Sequence, residues 1–188
     1  MGYVRGFIPW VASGVVSSFD WRWGAVAGFL AGVLLLLQDR RRGVPLDALV
    51  LEAGSIVYFV VIGAVAFASP DSPLEPYNGV LSFVWLALTA WGSLAVRRPF
   101  TLGIARRQTP QEYWDTPGFL AVNNAITAVW AAGFTFIFVA MTVCEATGAP
   151  DWIGITARVA GLLAPAVFTK VYPARVQARL EAMQAAGA

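Results

Sequence analysis

Long apolar runs alternate with short polar connections along the whole chain, and the connections alternate in charge. Runs at residues 23–38, 46–69, 79–96, 119–144 and 152–171 meet or approach the ~20 apolar residues that a helix needs to cross a bilayer. A sixth run, residues 6–19, is shorter and carries Pro9. At ~1.5 Å per residue it reaches only ~21 Å, against a hydrocarbon core of ~30 Å. The pattern predicts an all-α, polytopic transmembrane bundle forming one membrane-embedded domain over residues 1–188. It has six helices, or five and a short re-entrant or interfacial segment. Pro9 suits the start of a helix that continues to Phe19, which favours six.

Charge placement supplies an orientation. Arg40, Arg41 and Arg42 follow the second run, Arg97, Arg98, Arg106 and Arg107 the fourth, and Arg175 and Arg179 the last. The intervening connections carry Asp20 with Arg22, then Asp71 and Glu75, then Glu145 and Asp151. Arginine-rich loops stay on the cytoplasmic side of a membrane. Both termini are therefore expected in the cytoplasm, in a bacterial inner membrane. The first run has only Arg5 before it and no small-residue cleavage site before Asp20, so it reads as retained rather than as a signal peptide.

Composition narrows the chemistry. The chain is 58% hydrophobic, has no histidine and has Cys144 as its only cysteine. Internal disulfides, thiol redox pairs, zinc fingers and His-ligated haem are thereby excluded. The carboxylates are scattered, so no metal, cofactor or catalytic set is expected. The arginines flank apolar runs and form no separate basic module, which argues against nucleic-acid binding.

Several local signals concern packing. Gly24, Gly28 and Gly32 form two overlapping G-x-x-x-G steps, a stripe on which another backbone can approach closely. A partner helix of the same chain is expected there, with a homodimer as the alternative. Pro165 interrupts the last run and frees a carbonyl that a neighbour or water must meet. Trp21, Trp23 and Trp152 sit at outer ends as an aromatic belt, whereas Trp10, Trp85 and Trp130 fall deeper, as core. Thr109-Pro110-Gln111-Glu112 reads as a capping box that starts a short interfacial helix in the long inner loop, with Tyr113 and Trp114 toward the membrane. Thr116-Pro117 restarts the next helix.

Polar groups inside apolar runs are the candidate site: Glu52, Asn123, Asn124, Arg158 and Lys170. Asp151, seven residues before Arg158 and on nearly the same helix face, is its expected ion partner, with Glu145 a second. Glu52 has no basic residue on its own helix. It needs Lys170, an arginine at an inner helix end, water or protonation.

Read end to end, the chain resembles the bacterial inner-membrane septation protein A family. The resemblance rests on Phe7-Ile8-Pro9, on an apolar run entering the cluster at Arg40–Arg42, and on Arg97-Arg98-Pro99. It continues through a loop bearing Pro110 and Trp114 into a run bearing Asn123 and Trp130. The spacing from Asn123 to Trp130 is wider than the family's, and the inner loop has an additional Thr-Pro-Gly step, which fits a related branch. The resemblance implies a multi-pass inner-membrane protein for envelope maintenance or septation and brings no catalytic residues. The expected function is non-enzymatic, through contacts with membrane lipids or with envelope and division proteins. A small transporter or channel with a polar path near Glu52 and Asn123 is the alternative. A membrane enzyme ranks third.

Overall fold

The computed structural model describes residues 5–44, 49–106 and 109–186. The start expected at residue 46, and Arg107 of the basic cluster, lie outside them. Among the described residues all regular structure is helical. The elements are α1 (Ile8–Ser17), α2 (Trp21–Arg41), α3 (Val50–Ala68), α4 (Asn78–Ala95), α5 (Thr101–Arg106), α6 (Pro117–Thr147) and α7 (Asp151–Ala186). Five of these, α2, α3, α4, α6 and α7, are long and apolar enough to cross a membrane. The apolar runs thus become helices because a chain in lipid must satisfy its backbone internally.

Consecutive long helices pack antiparallel, so the arginines of residues 40–42, 97, 98 and 106 gather at one end of the bundle. Asp20, Asp71, Glu75, Glu145 and Asp151 gather at the other. At the acidic end Asp20 caps α2. Its carboxylate accepts from the Arg22 backbone N–H at 2.8 Å and pairs with the Arg22 guanidinium at 2.6 Å. That side-chain hydrogen bond from Arg22 holds the carboxyl below its ordinary pKa.

The ten-residue α1 lies inside the bundle's packing rather than flat on it. Arg5, just before α1, donates to Gln38 Oε1 at 2.8 Å and pairs with the buried Asp39 at 3.3 Å. At the other end, a Cβ on Gly24 would collide with Ser17. Residues 5–17 therefore run beside α2 from Asp39 back to Gly24. Phe7 stacks on Trp130 of α6 with centroids 5.0 Å apart, and Trp10 lies 5.1 Å from Tyr58 and 5.0 Å from Phe59 of α3. The glycine stripe of α2 faces inward, with Gly28 against the Phe59 ring and Gly32 beside Ile56, Ser55 and Pro9. Close contact between chain segments uses the missing side chains.

Three local expectations differ from the structure. Residues 109–112 do not open an interfacial α-helix. Pro110 is extended, no side chain caps the turn, and only a 3-10 turn forms at Gln111–Tyr113. Pro117 holds Thr116 extended and leaves too little chain for a second turn. The loop's α-helix is upstream, at α5. Trp114 instead folds back to donate to the Thr109 carbonyl at 2.9 Å and lies 5.2 Å beneath the Arg106 guanidinium. Trp21 is not part of an exposed belt but is 4% exposed, its indole donating to the Pro70 carbonyl; Trp23 and Trp152 are exposed. The last helix continues past residue 171, through Pro165 and Pro173, to Ala186. Thr116 does cap α6, accepting from the Phe119 N–H, with Pro117 following.

Candidate functional site: an amphiphilic cleft

A cleft of about 620 Å³ separates α1 from α7, with α4 and α6 as its back. Its shape follows from a mismatch: α1 is short and packs on α2 and α3, while α7 packs along α6, so the two outer walls stand apart. Val11 and Gly14 of α1 and Arg158 and Ala166 of α7 are exposed where they line it, and the cleft is open along that side. Its deeper walls are apolar, with Phe7, Phe83, Leu86, Trp130 and Leu162.

Toward the acidic end the lining becomes polar. The Tyr58 hydroxyl, behind this wall, bonds with Ser82 Oγ at 3.0 Å and donates to Asn78 Oδ1 at 3.3 Å. Asn78 Nδ2 donates in turn to Ser17 Oγ at 3.3 Å. This chain of bonds ties α1, α3 and α4 together and fixes the polar wall. Trp10 also lines the cleft, and its buried Nε1 has no acceptor among the described residues. Glu75 stands exposed at the mouth.

Arg158 is the cleft's cation. The expected ion pair with Asp151 does not form: two helical turns separate them by ~10 Å along the axis, too far for contact. Its Nε donates to Met141 Sδ at 3.3 Å, and no carboxylate lies within ion-pair distance among the described residues. A thioether is a weak acceptor for a guanidinium that carries five N–H donors. The terminal nitrogens remain available for a planar anion.

The other sequence candidates lie elsewhere. Glu52 is 5% exposed in the first turn of α3, where the helix dipole favours a carboxylate, and does not line the cleft. Asn123 is 1% exposed on α6. Its Nδ2 donates to the Phe119 carbonyl, its own carbonyl accepts from Thr101, and Thr101 shares a 2.7 Å bond with Thr127. This buried polar knot seats α5 on α6, and Asn123 Oδ1 is left without a partner among the described residues. Asn124 and Lys170 are exposed and belong to neither cluster. A second furrow, about 600 Å³, follows α7 from Ala160 to Arg175. Its lining comes from that helix alone, so it is an open surface groove.

Sequence reasoning identified Arg158 but not its surroundings. Trp10 packs on the core as its depth predicts and lines the cleft as well, whereas Ser13, Ser17, Asn78 and Ser82 belong to no motif in the sequence. The available signal was the i, i+4 spacing of Ser13 with Ser17 and of Asn78 with Ser82, small polar pairs on otherwise apolar helices.

The class that this architecture defines is an integral membrane protein, an α-helical bundle with a partly polar cleft. No family model matches the chain, and no curated protein or solved structure matches it.

Proposed function

We propose that the chain is a non-enzymatic, multi-pass protein of the bacterial inner membrane, with both termini cytoplasmic, that supports envelope maintenance or septation through lipid contacts. One observation carries this reading: the open cleft is amphiphilic and excludes Glu52 and Asn123. A transport path would need those buried groups along an accessible route, whereas an open slot with polar and apolar ends suits a lipid-shaped molecule. Six crossing segments are favoured by the course of residues 5–17 beside α2, from Asp39 to Gly24. The orientation follows from the arginine-rich end. The septation protein A resemblance supports the envelope role.

Complementation of a deletion strain tests the reading against transport. Glu52→Gln preserves shape and hydrogen bonding but removes the titrating carboxyl. Full restoration of normal envelope and division supports the lipid-contact role. A folded Glu52→Gln protein that fails to complement favours a proton- or cation-coupled path instead.

A further inference from the structure

We infer that the cleft binds a singly charged anionic amphiphile, with its headgroup on Arg158 and its apolar tail along Leu162, Trp130 and Phe7. The inference deepens the lipid-contact reading and rests on it.

Arginine stays protonated under all physiological conditions, and Arg158 presents that charge at the edge where the cleft's polar and apolar linings meet. Among the described residues Arg158 has only a thioether as partner. Its planar fork fits the two oxygens of a carboxylate or a phosphodiester, and such charge-assisted pairs are the stronger hydrogen bonds. Glu75 at the mouth disfavours a multiply charged ligand and so selects for a single negative charge. On the facing wall, Trp10 Nε1, without an acceptor among the described residues, is a donor of the kind an ester or carboxylate oxygen satisfies.

The tail assignment follows from depth and access. Arg158 lies ~10 Å along α7 from its start, and the lining beyond it changes to Leu162, Trp130 and Phe7. A ligand with its charge at Arg158 would thus place its remainder against apolar side chains, which is the polarity of a lipid and the reverse of a soluble metabolite. The volume, about 620 Å³, falls within the ~300–1,000 Å³ of small-ligand sites. Exposure of Val11, Gly14 and Ala166 leaves the entry facing sideways, where a molecule dissolved in the bilayer arrives.

The test uses the full chain purified in a neutral detergent and titrated with four probes, read by native mass spectrometry. The probes are phosphatidylglycerol, oleate, phosphatidylcholine and glycerol phosphate. Phosphatidylglycerol or oleate should bind at least about tenfold more tightly than phosphatidylcholine, and which of the two leads identifies the source of the charge. Glycerol phosphate, lacking a tail, should not bind measurably. Arg158→Gln should remove the preference for the anionic probe, Arg158→Lys should retain part of it, and Leu162→Trp should weaken binding of both tailed classes.

Equal affinity for phosphatidylglycerol, oleate and phosphatidylcholine would overturn the inference. So would tight binding of glycerol phosphate alone, or an Arg158→Gln protein that melts normally and binds as the wild type does. If Arg158→Gln does not fold, unchanged anionic-lipid affinity in both Arg158→Lys and Leu162→Trp overturns it. Complementation is read separately. Normal complementation by Glu52→Gln with no lipid selectivity defeats the cleft assignment alone, and selective binding without any envelope phenotype on deletion defeats the envelope role alone.

Discussion

The carbonyl oxygen of Gly161 rests against the Cα of Gly133, at the point where α6 and α7 cross. A Cβ built on Gly133 would stand 2.5 Å from that oxygen and 2.8 Å from the Pro165 ring. The contact answers the problem that Pro165 creates. Proline has no N–H, so the carbonyl four residues earlier, that of Gly161, loses its helical donor. Gly133 brings a Cα hydrogen to the orphaned oxygen, a weak bond that only a residue without a side chain allows at this distance. One turn on, Trp130 Nε1 donates to Thr169 Oγ1 at 3.0 Å, and Thr169 donates to the Pro165 carbonyl at 2.8 Å.

Gly133→Ala should therefore destabilise the bundle more than Gly32→Ala. The new methyl at Gly133 meets backbone and a proline ring, neither of which can rotate away. At Gly32 it meets an Ile56 side-chain carbon at 3.1 Å, which can. Overpacking in soluble cores costs about 1–3 kcal/mol, and Gly133→Ala should fall in that range with Gly32→Ala below it. Gly28→Leu, against the Phe59 ring, should be destabilising too. Unfolding in detergent measures all three. An equal loss at Gly133 and Gly32 would mean that the α6–α7 crossing relaxes freely.

Thr169→Val keeps shape but removes the acceptor of the buried Trp130 indole. Interhelical hydrogen bonds in membranes average about 0.6 kcal/mol and reach about 1.7. The upper half of that range is expected here, because Trp130 is 4% exposed and its indole N–H is held by Thr169. Thr169→Ser should cost less than Thr169→Val, since it retains the hydroxyl. Unfolding equilibria of the two variants give the comparison.

The long helices were legible because lipid imposes one rule, apolar length, and the runs beginning at residues 23, 79, 119 and 152 obey it. The Gly24/Gly28/Gly32 stripe could be read because small residues at i, i+4 and i+8 share one face. What could not be read depends on register between distant segments. Nothing local in residues 8–17 says that Trp10 meets Tyr58 and Phe59, or that Phe7 meets Trp130. The Arg158 expectation failed for a related reason: a shared helix face brings Asp151 into line but not into reach. Gly133 and Gly161 have no second glycine four residues away on their helices, so neither forms a G-x-x-x-G step.

Arg97 carries a local strain that can be relieved. It is the one described residue other than glycine with positive φ, at 57°, and it closes α4. Its N–H donates to the Leu94 carbonyl and that of Arg98 to Ser93, the paired bonds of a Schellman motif in which glycine normally takes the left-handed position. An L-residue there costs about 1–2 kcal/mol, of which glycine's greater unfolded freedom would return part. Arg97→Gly should thus stabilise the folded chain by roughly 0.5–1 kcal/mol. A drop in stability would show that the Arg97 side chain has a partner worth more than the strain.

The orientation is tested by single cysteines in a Cys144→Ser background. Asp71→Cys lies in the acidic α3–α4 connection and Gln177→Cys in the exposed end of α7, among Arg175 and Arg179. If arginine-rich loops remain cytoplasmic, a membrane-impermeant maleimide should label position 71 in intact cells and position 177 only after permeabilisation. A third site, Phe19→Cys, examines whether the first segment crosses. Phe19 is 89% exposed between α1 and α2 at the acidic end, so it should label from outside together with position 71. Because Arg5 is held at Asp39, residues 5 and 19 lie at opposite ends of the bundle. Labelling of position 19 from outside would therefore leave residue 5 across the membrane and fix six crossing segments. Protection of position 19 with labelling of 71 would place the α1–α2 turn within the bilayer and reduce the count to five. Labelling of position 177 in intact cells would reverse the whole topology.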